Sequence, residues 1–352
     1  MNFYLLVIDW WFLLEKLVLI ILVVSISLVI AMYETYAERK IAAFIQDRRG
    51  PNRAGPFGIL QPLADGGKLF FKEEIIPGSS SKFLFILGPA LAMITATMTS
   101  AVIPWGKTIH LFGRDISLQI ADINIGILYI FGVVSLGVYG IMIGGWASNN
   151  KFSLMAAIRG ASQMISYELA MGLSLIALLM WTGSLRLSVI VEQQSQGMFN
   201  WNIIYQPLGF LLFFICALAE CNRTPFDLPE AENELNFGYH QEYSSMKLGF
   251  YLFAEYINMF ISSAVMVTLF FGGYDIPFVN ESAWGNAGWV GLLGFAVLMA
   301  KIAFFIFLFI WIRWTIPRFR YDQLMNLGWK GLIPLALLNM VITALAILLL
   351  KR

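Results

Sequence analysis

Charge and redox-active side chains are what this sequence has least of. Only 13% of its 352 residues are Asp, Glu, Lys or Arg, against roughly 25% in an ordinary soluble domain. Cysteine occurs twice, at Cys216 and Cys221, and histidine twice, at His110 and His240. An iron–sulfur cluster or a structural zinc site generally takes about four ligands from the chain, so neither is expected here. Both histidines fall outside the apolar runs, where they could not face each other across a membrane haem. The expectation is a chain with no metal, no flavin and no redox centre of its own, and with both cysteines serving as small buried apolar residues. A net charge of +1 without a basic face argues against binding nucleic acid.

What is present is oil. Apolar residues make up 59% of the chain, and runs long enough to cross a bilayer recur along it. Eight spans can be marked, at roughly 14–33, 83–104, 122–146, 163–183, 207–220, 249–272, 289–312 and 332–350. Each must be helical, because backbone polar groups cannot be left unpaired in lipid. The fold class is therefore an all-α integral membrane protein, a single membrane domain over 1–352, with eight transmembrane helices. The first run has no small-residue cleavage site and reads as a retained helix. Sixteen Lys and Arg fall in the loops after spans one, three, five and seven, and six on the opposite side, with Lys301 inside a span. This bias places those loops in the cytoplasm and both termini outside. No internal repeat is visible, which counts against a free-standing ion carrier.

Two cytoplasmic loops stand out, 34–82 and 219–248. The second contains AECNRTPFDLPEAENELNFGYHQEY, six carboxylates (Glu220, Asp227, Glu230, Glu232, Glu234 and Glu242) against one arginine, Arg223. Glu220 ends a span and could pair with Arg223 if the helix persisted, but Pro225 stops it. Asp227-Leu228-Pro229-Glu230 has the form of a helix start, so simple capping is one reading of Asp227 and Glu230. It leaves Glu232 and Glu234 unexplained. Carboxylates gathered at a membrane boundary titrate as a set and hold protons that exposed ones would shed. That suits a proton path; a solvated acidic loop is the alternative, one that leaves the framing by Asn, Pro and aromatic residues unexplained. Glu168 and Glu255, both within spans, are expected to face the bundle interior. Asp122 is equally well explained as a helix N-terminal residue, and Lys301 is left open between a structural partner and a functional one.

The first loop mixes apolar periodicity with charge. Asp65, Lys68 and Lys72 recur at helical spacing from about Pro62, which suits an amphipathic helix in the interface plane. Arg48 to Gly58 is rich in Gly, Pro and Arg and should form a tight ordered loop. Binding of anionic lipid is one use of such a basic segment; a cavity for an amphiphilic ligand is another.

Three stretches, AERKIAAFIQDRRGPNRAGPFGILQPLADGGKLFFKE, the acidic connection and IRWTIPRFRYDQLMNLGWK, closely resemble the H-type membrane subunits of respiratory complex I, the NADH–quinone oxidoreductase, whose mitochondrial counterpart is NADH dehydrogenase subunit one. The likeness runs over essentially the whole chain. Cys221 departs from it, standing where the family usually has Thr. The resemblance implies a bacterial inner-membrane subunit at the junction of two arms. Its partners would be iron–sulfur and quinone-site subunits of the hydrophilic arm, small and antiporter-like membrane subunits, and membrane lipid. It implies a tunnel for quinone as substrate, ubiquinone or menaquinone. Carried over by motif, Glu38, Arg39, Gln46, Arg48, Asp65 and Lys68 line or shape that cavity, and Arg313 and Arg318 help organise it. Glu168, Glu220, Asp227, Glu230, Glu232 and Glu234, with Arg223, form an acidic path that couples quinone reduction to proton translocation. A membrane anchor of an energy-converting hydrogenase-type complex is the alternative of related sequence. No residue is catalytic in the strict sense.

Overall fold

The computed structural model describes residues 10–111, 114–195, 197–230, 232–277 and 288–350. Its elements are helical apart from a short antiparallel ribbon, β1 (Ile109–Leu111) with β2 (Arg114–Ile116). Seven helices among the described residues are long and apolar enough to cross a membrane. They are α1 (Trp10–Ile45), α3 (Lys82–Thr99, continued by one 3₁₀ turn to Val102), α4 (Gly126–Ala147), α5 (Lys151–Thr182), α10 (Ser245–Phe270), α11 (Gly288–Thr315) and a composite helix. The composite helix runs through α12 (Tyr321–Asn326), a π-helical stretch Leu327–Leu332 and α13 (Ile333–Leu350). Shorter pieces are α2 (Gln61–Phe71), α6 (Leu187–Gln194), α7 (Asn202–Tyr205), α8 (Pro207–Glu220) and α9 (Glu232–Leu235). The fifth expected span is thus α8, apolar but only 14 residues long.

Bundle packing relies on close backbone approach. Tyr251 on α10 donates to Gly140 O at 3.1 Å and Tyr243 to Gly144 O at 3.2 Å. A Cβ on Gly144 or on Gly88 would collide with the Tyr251 hydroxyl. Without a hydrophobic drive between helices in lipid, small residues that let backbones meet do this work. Gln163, fully buried on α5, donates through Nε2 to Ala219 O at 2.8 Å and Phe226 O at 2.7 Å. It ties the end of α8 and the acidic connection to α5.

Several expectations differ in detail. α1 runs well past the first apolar run, because its later charges Glu34 and Glu38 fall on the buried stripe that also carries Ser27, Ala31 and Ala42. Asp227 does not start a helix: 228–230 form a turn, α9 begins at Glu232, and the Asp227 carboxylate is engaged by Arg318 instead. The chain does turn after Glu220, and Arg223 reaches Glu38, not Glu220. The segment before α2 is ordered as expected, with a 3₁₀ turn at Pro56–Gly58 and the Tyr36 hydroxyl donating to Phe57 O at 2.7 Å. Gly58 sits at φ 82° with Pro51 O against it, a place no side chain fits.

Candidate functional site

The C-terminal part of α1 places Glu38 in the core, where three elements converge on its carboxylate. Arg313 from the last turn of α11 pairs with Oε1 at 2.6 Å. Tyr256 from α10 donates to Oε2 at 2.8 Å, and Arg223 from the connection after α8 stands 3.9 Å from the same oxygen. The Arg223 guanidinium also lies over the Tyr256 ring, 4.2 Å from its centroid. Two sets of residues that sequence keeps apart, those shaping the first loop and those of the acidic connection, therefore meet at one carboxylate.

From Arg223 the charges continue inward. Burial works against its cation, but Tyr256, Glu38, Glu255 and Glu230 outweigh that and raise its pKa. Glu230 lies within hydrogen-bonding reach of the Glu255 carboxyl on α10. For Glu230 burial is opposed by Arg223, His240 and Arg313, which together lower its pKa. Tyr239 donates to Glu255 Oε1 at 3.0 Å. Asp227, 2% exposed, pairs with Arg318 at 2.8 Å. Burial and the neighbouring Glu230 nonetheless push its pKa up to about 7 against the pull of Arg318, Arg313 and Arg223.

Glu220 and Glu255 both border an interior cavity of about 70 Å³, together with Asn222, Tyr239, Tyr251 and Asn258. That volume has room for a few waters. One oxygen of Glu220 and the side-chain oxygen of Asn222 have no protein partner. Glu168, on α5, accepts from the Ser135 hydroxyl on α4 and is close enough to Glu220 for the two charges to repel.

The remaining expected residues lie further out. Arg39 pairs with Asp65 at 2.6 Å, and Gln61 also donates to Asp65, at 3.1 Å, which docks α2 on α1. Arg48 donates to Gln46 at 2.8 Å at an exposed turn, and Lys68 is exposed on α2. Glu234 pairs with Arg159 of α5 at 2.9 Å and is largely exposed, outside the buried group. The side chain of Glu232 lies outside the described residues. Asp122 is held by Arg186, at 2.8 Å through Nε, and by Ser188 at 3.1 Å, at the opposite end of α4 and α5. Lys301 caps the end of α10, donating to Phe271 O, Gly273 O and Asp275 O at 2.8, 3.0 and 2.7 Å. Its position inside a span is thus explained by carbonyls with no helical partner.

Residues not singled out from sequence also enter the group. Glu34 is buried one turn before Glu38, a spacing of four that marks both for the same helix face. Tyr239, Tyr256 and His240 carry no sequence signal beyond their place beside carboxylates. Among the described residues no group of His, Cys, Asp and Glu is arranged to hold a metal ion.

Comparison with known proteins identifies the family. A family model described as NADH dehydrogenase matches residues 17–344. An H-type subunit of NADH-quinone oxidoreductase from Cytophaga hutchinsonii is 67% identical over 338 residues, covering 96% of this chain and 98% of the relative. The H-type subunit of the same enzyme from Flavobacterium johnsoniae is 66% identical over 339 residues, covering 96% of each. NADH-quinone oxidoreductase subunit 8 of Rhodothermus marinus is 47% identical over 333 residues, covering 93% of this chain and 95% of the relative. With matches of this extent over nearly its full length, the chain belongs to the NADH dehydrogenase family.

Proposed function

We propose that this chain is the membrane subunit of a proton-pumping NADH–quinone oxidoreductase that forms the quinone-access tunnel and starts the charged path coupling quinone reduction to proton translocation. The observation that carries this reading is the Glu38 node. One buried carboxylate joins Arg313 to Arg223, and Arg223 leads to Glu230, Glu255 and the cavity beside Glu220. A quinone, ubiquinone or menaquinone, takes up electrons and protons from outside this chain. The work of the chain's own residues is to bind, orient and respond. Glu38, Arg39, Gln46, Arg48, Asp65 and Lys68 shape the cavity mouth, and Arg313 and Arg318 fix the carboxylates behind it. A change of charge in the cavity alters the hold of Arg313 and Arg223 on Glu38. Arg223 then passes it to the Glu230–Glu255 pair, and a proton is handed on toward Glu220 and Glu168. Asp227, Glu232 and Glu234 extend the acidic set toward the cytoplasmic mouth.

In this reading α8 is the fifth crossing and brings the total to eight. At about 1.5 Å per residue it spans roughly 21 Å, so it crosses only with help from α7 and the turn after it. Eight crossings put both termini on one side of a bacterial inner membrane, and the Lys and Arg bias of the loops makes it the periplasmic side. α2 lies in the interface, its exposed Leu63, Phe70 and Phe71 toward lipid. Iron–sulfur and quinone-site subunits of the hydrophilic arm, and small and antiporter-like membrane subunits, are its partners. Glu220→Gln tests the role: the complex should assemble while NADH–quinone turnover and pumping fall about tenfold or more. Parental turnover and pumping in that variant would sink it. Purification from native membrane, read by its co-migrating chains and by a quinone-site inhibitor, tests the partners and the substrate.

A further inference from the structure

Two buried side chains at the Glu38 node have bonding capacity that nothing meets. Glu34 is 3% exposed, and neither of its carboxyl oxygens has a hydrogen-bond partner. Arg223 is 4% exposed; it turns Nη1 toward Glu38 at 3.9 Å but leaves Nε and Nη2 without an acceptor. Glu34 and Glu38 are four residues apart on α1, so their Cα atoms are about 6 Å apart along the helix axis and both side chains share one face. The charged groups that face Glu34 are Arg223, from the connection after α8, and Glu38 on its own helix; the buried Cys221 thiol is the other titratable neighbour.

We propose that Glu34 is a second seat for the Arg223 guanidinium, which exchanges between Glu38 and Glu34 as the charge state of the node changes. The geometry makes departure from Glu38 cheap. Glu38 keeps Arg313 at 2.6 Å and the Tyr256 hydroxyl at 2.8 Å, so the 3.9 Å contact it would lose is its weakest. The guanidinium already rests on the flat Tyr256 ring, a surface along which it slides without losing its aromatic contact. Arrival at Glu34 would satisfy two donors and two acceptors at once. A buried carboxylate with neither cation nor donor is strongly disfavoured, so a proton compensates Glu34 when Arg223 is away. On arrival the Glu34 O–H bond breaks, the proton passes to water, and the arginine takes over as counter-charge. Return of Arg223 to Glu38 reverses both changes. The step makes Glu34 a positioning residue that acts through Arg223 and not through contact with quinone.

The inference rests on the coupling path proposed above. Its test uses the intact purified complex carrying Glu34→Gln, Glu34→Asp or Glu34→Ala, with Glu220→Gln in parallel. Turnover should fall about fivefold in Glu34→Gln, the size of an ordinary coupling. The pH–rate profile should lose one limb, and Glu34→Asp should restore most of both. The redox-induced infrared difference spectrum should lose a carboxyl C=O band in Glu34→Gln. Parental rate and profile in Glu34→Gln, or an unchanged carboxyl band, overturns the exchange. Should Glu34→Gln not assemble, a displaced carboxyl band in Glu34→Asp supports it and an unmoved one overturns it. Impairment by Glu220→Gln without any effect at Glu34 removes this inference alone, whereas silence at both positions removes the coupling path itself.

Discussion

Asp122 and Asp227 are each paired with an arginine, and they behave in opposite ways. At one end of the bundle, Arg186 grips Asp122 with two nitrogens and Ser188 adds a hydroxyl, so its pKa is lowered despite some burial. At the other end, Arg318 reaches Asp227 with one nitrogen, burial is deep, and Glu230 stands beside it, so its pKa is raised to about 7. The same ion-pair chemistry fixes a charge in the first place and leaves a proton negotiable in the second. What separates them is desolvation and a second carboxylate, the two forces that outweigh a single cation. Where several acids are packed in a low-dielectric site, an arginine organises them without silencing them.

The largest effect is expected from removing the cation at the centre of the buried group. Arg223→Met leaves Glu38, Glu230 and Glu255 short of counter-charge, and an uncompensated buried charge costs about 3–5 kcal/mol. The yield of assembled complex should collapse, or the complex that does form should lose at least about tenfold in quinone turnover. A variant of parental yield and turnover would mean that Arg223 is not the hinge of the group.

Asp227→Asn comes next and addresses the comparison directly. A carboxyl whose folded pKa is raised from 3.8 to about 7 stabilises the fold fully below its unfolded value, and that contribution is lost as pH rises through about 7. The parental complex should therefore lose thermal stability between roughly pH 4 and pH 7, and the Asn variant should show a flatter dependence over that window. The inflection of turnover near neutrality should weaken in the same variant. An unchanged inflection would assign it to another member of the set.

These contrasts were only partly open to sequence reasoning. Glu168 and Glu220 announce themselves because a carboxylate in or ending an apolar run needs a reason, and Asp227 because it sits in a connection crowded with acids. The spans announce themselves because oil-rich runs have one cheap solution in a bilayer. The pairing of Glu38 with Arg313 does not, because 275 positions separate them and only the packing of α1 on α11 brings them together. The local rule that Asp-x-Pro-Glu starts a helix lost to tertiary contact: Arg318 claimed the cap, and the chain turned instead. Glu34 was readable in principle from its four-residue step to Glu38. Nothing local says that its oxygens go unpaired.

Glu234 should lie between the two extremes. Its pair with Arg159 is close at 2.9 Å, yet the carboxylate is mostly exposed, and such pairs are worth roughly 0–1 kcal/mol. Glu234→Gln is expected to lower coupled turnover by about twofold, well short of the Glu220 variant, with unchanged assembly. Measuring both variants under the same salt conditions ranks the mouth of the path against its interior. Equal losses would place the proton-handling site at the surface.

The smallest effect belongs to the pair at the opposite end. Asp122→Asn breaks the grip on Arg186 but leaves only exposed or half-exposed groups behind. Since its pKa is lowered from 3.8 in the folded chain, its stabilisation is present above that value and disappears as pH falls through the lowered one. At neutral pH the variant should keep parental turnover and an unaltered pH–rate profile, with an unfolding midpoint lower by no more than about 2 °C. The difference should vanish in strong acid, where the parental carboxylate is itself protonated. A neutral-range change in turnover from Asp122→Asn would mean that charge at this end also reaches the buried group. The contrast between a fixed charge and a negotiable proton would then need redrawing around the whole length of α4 and α5.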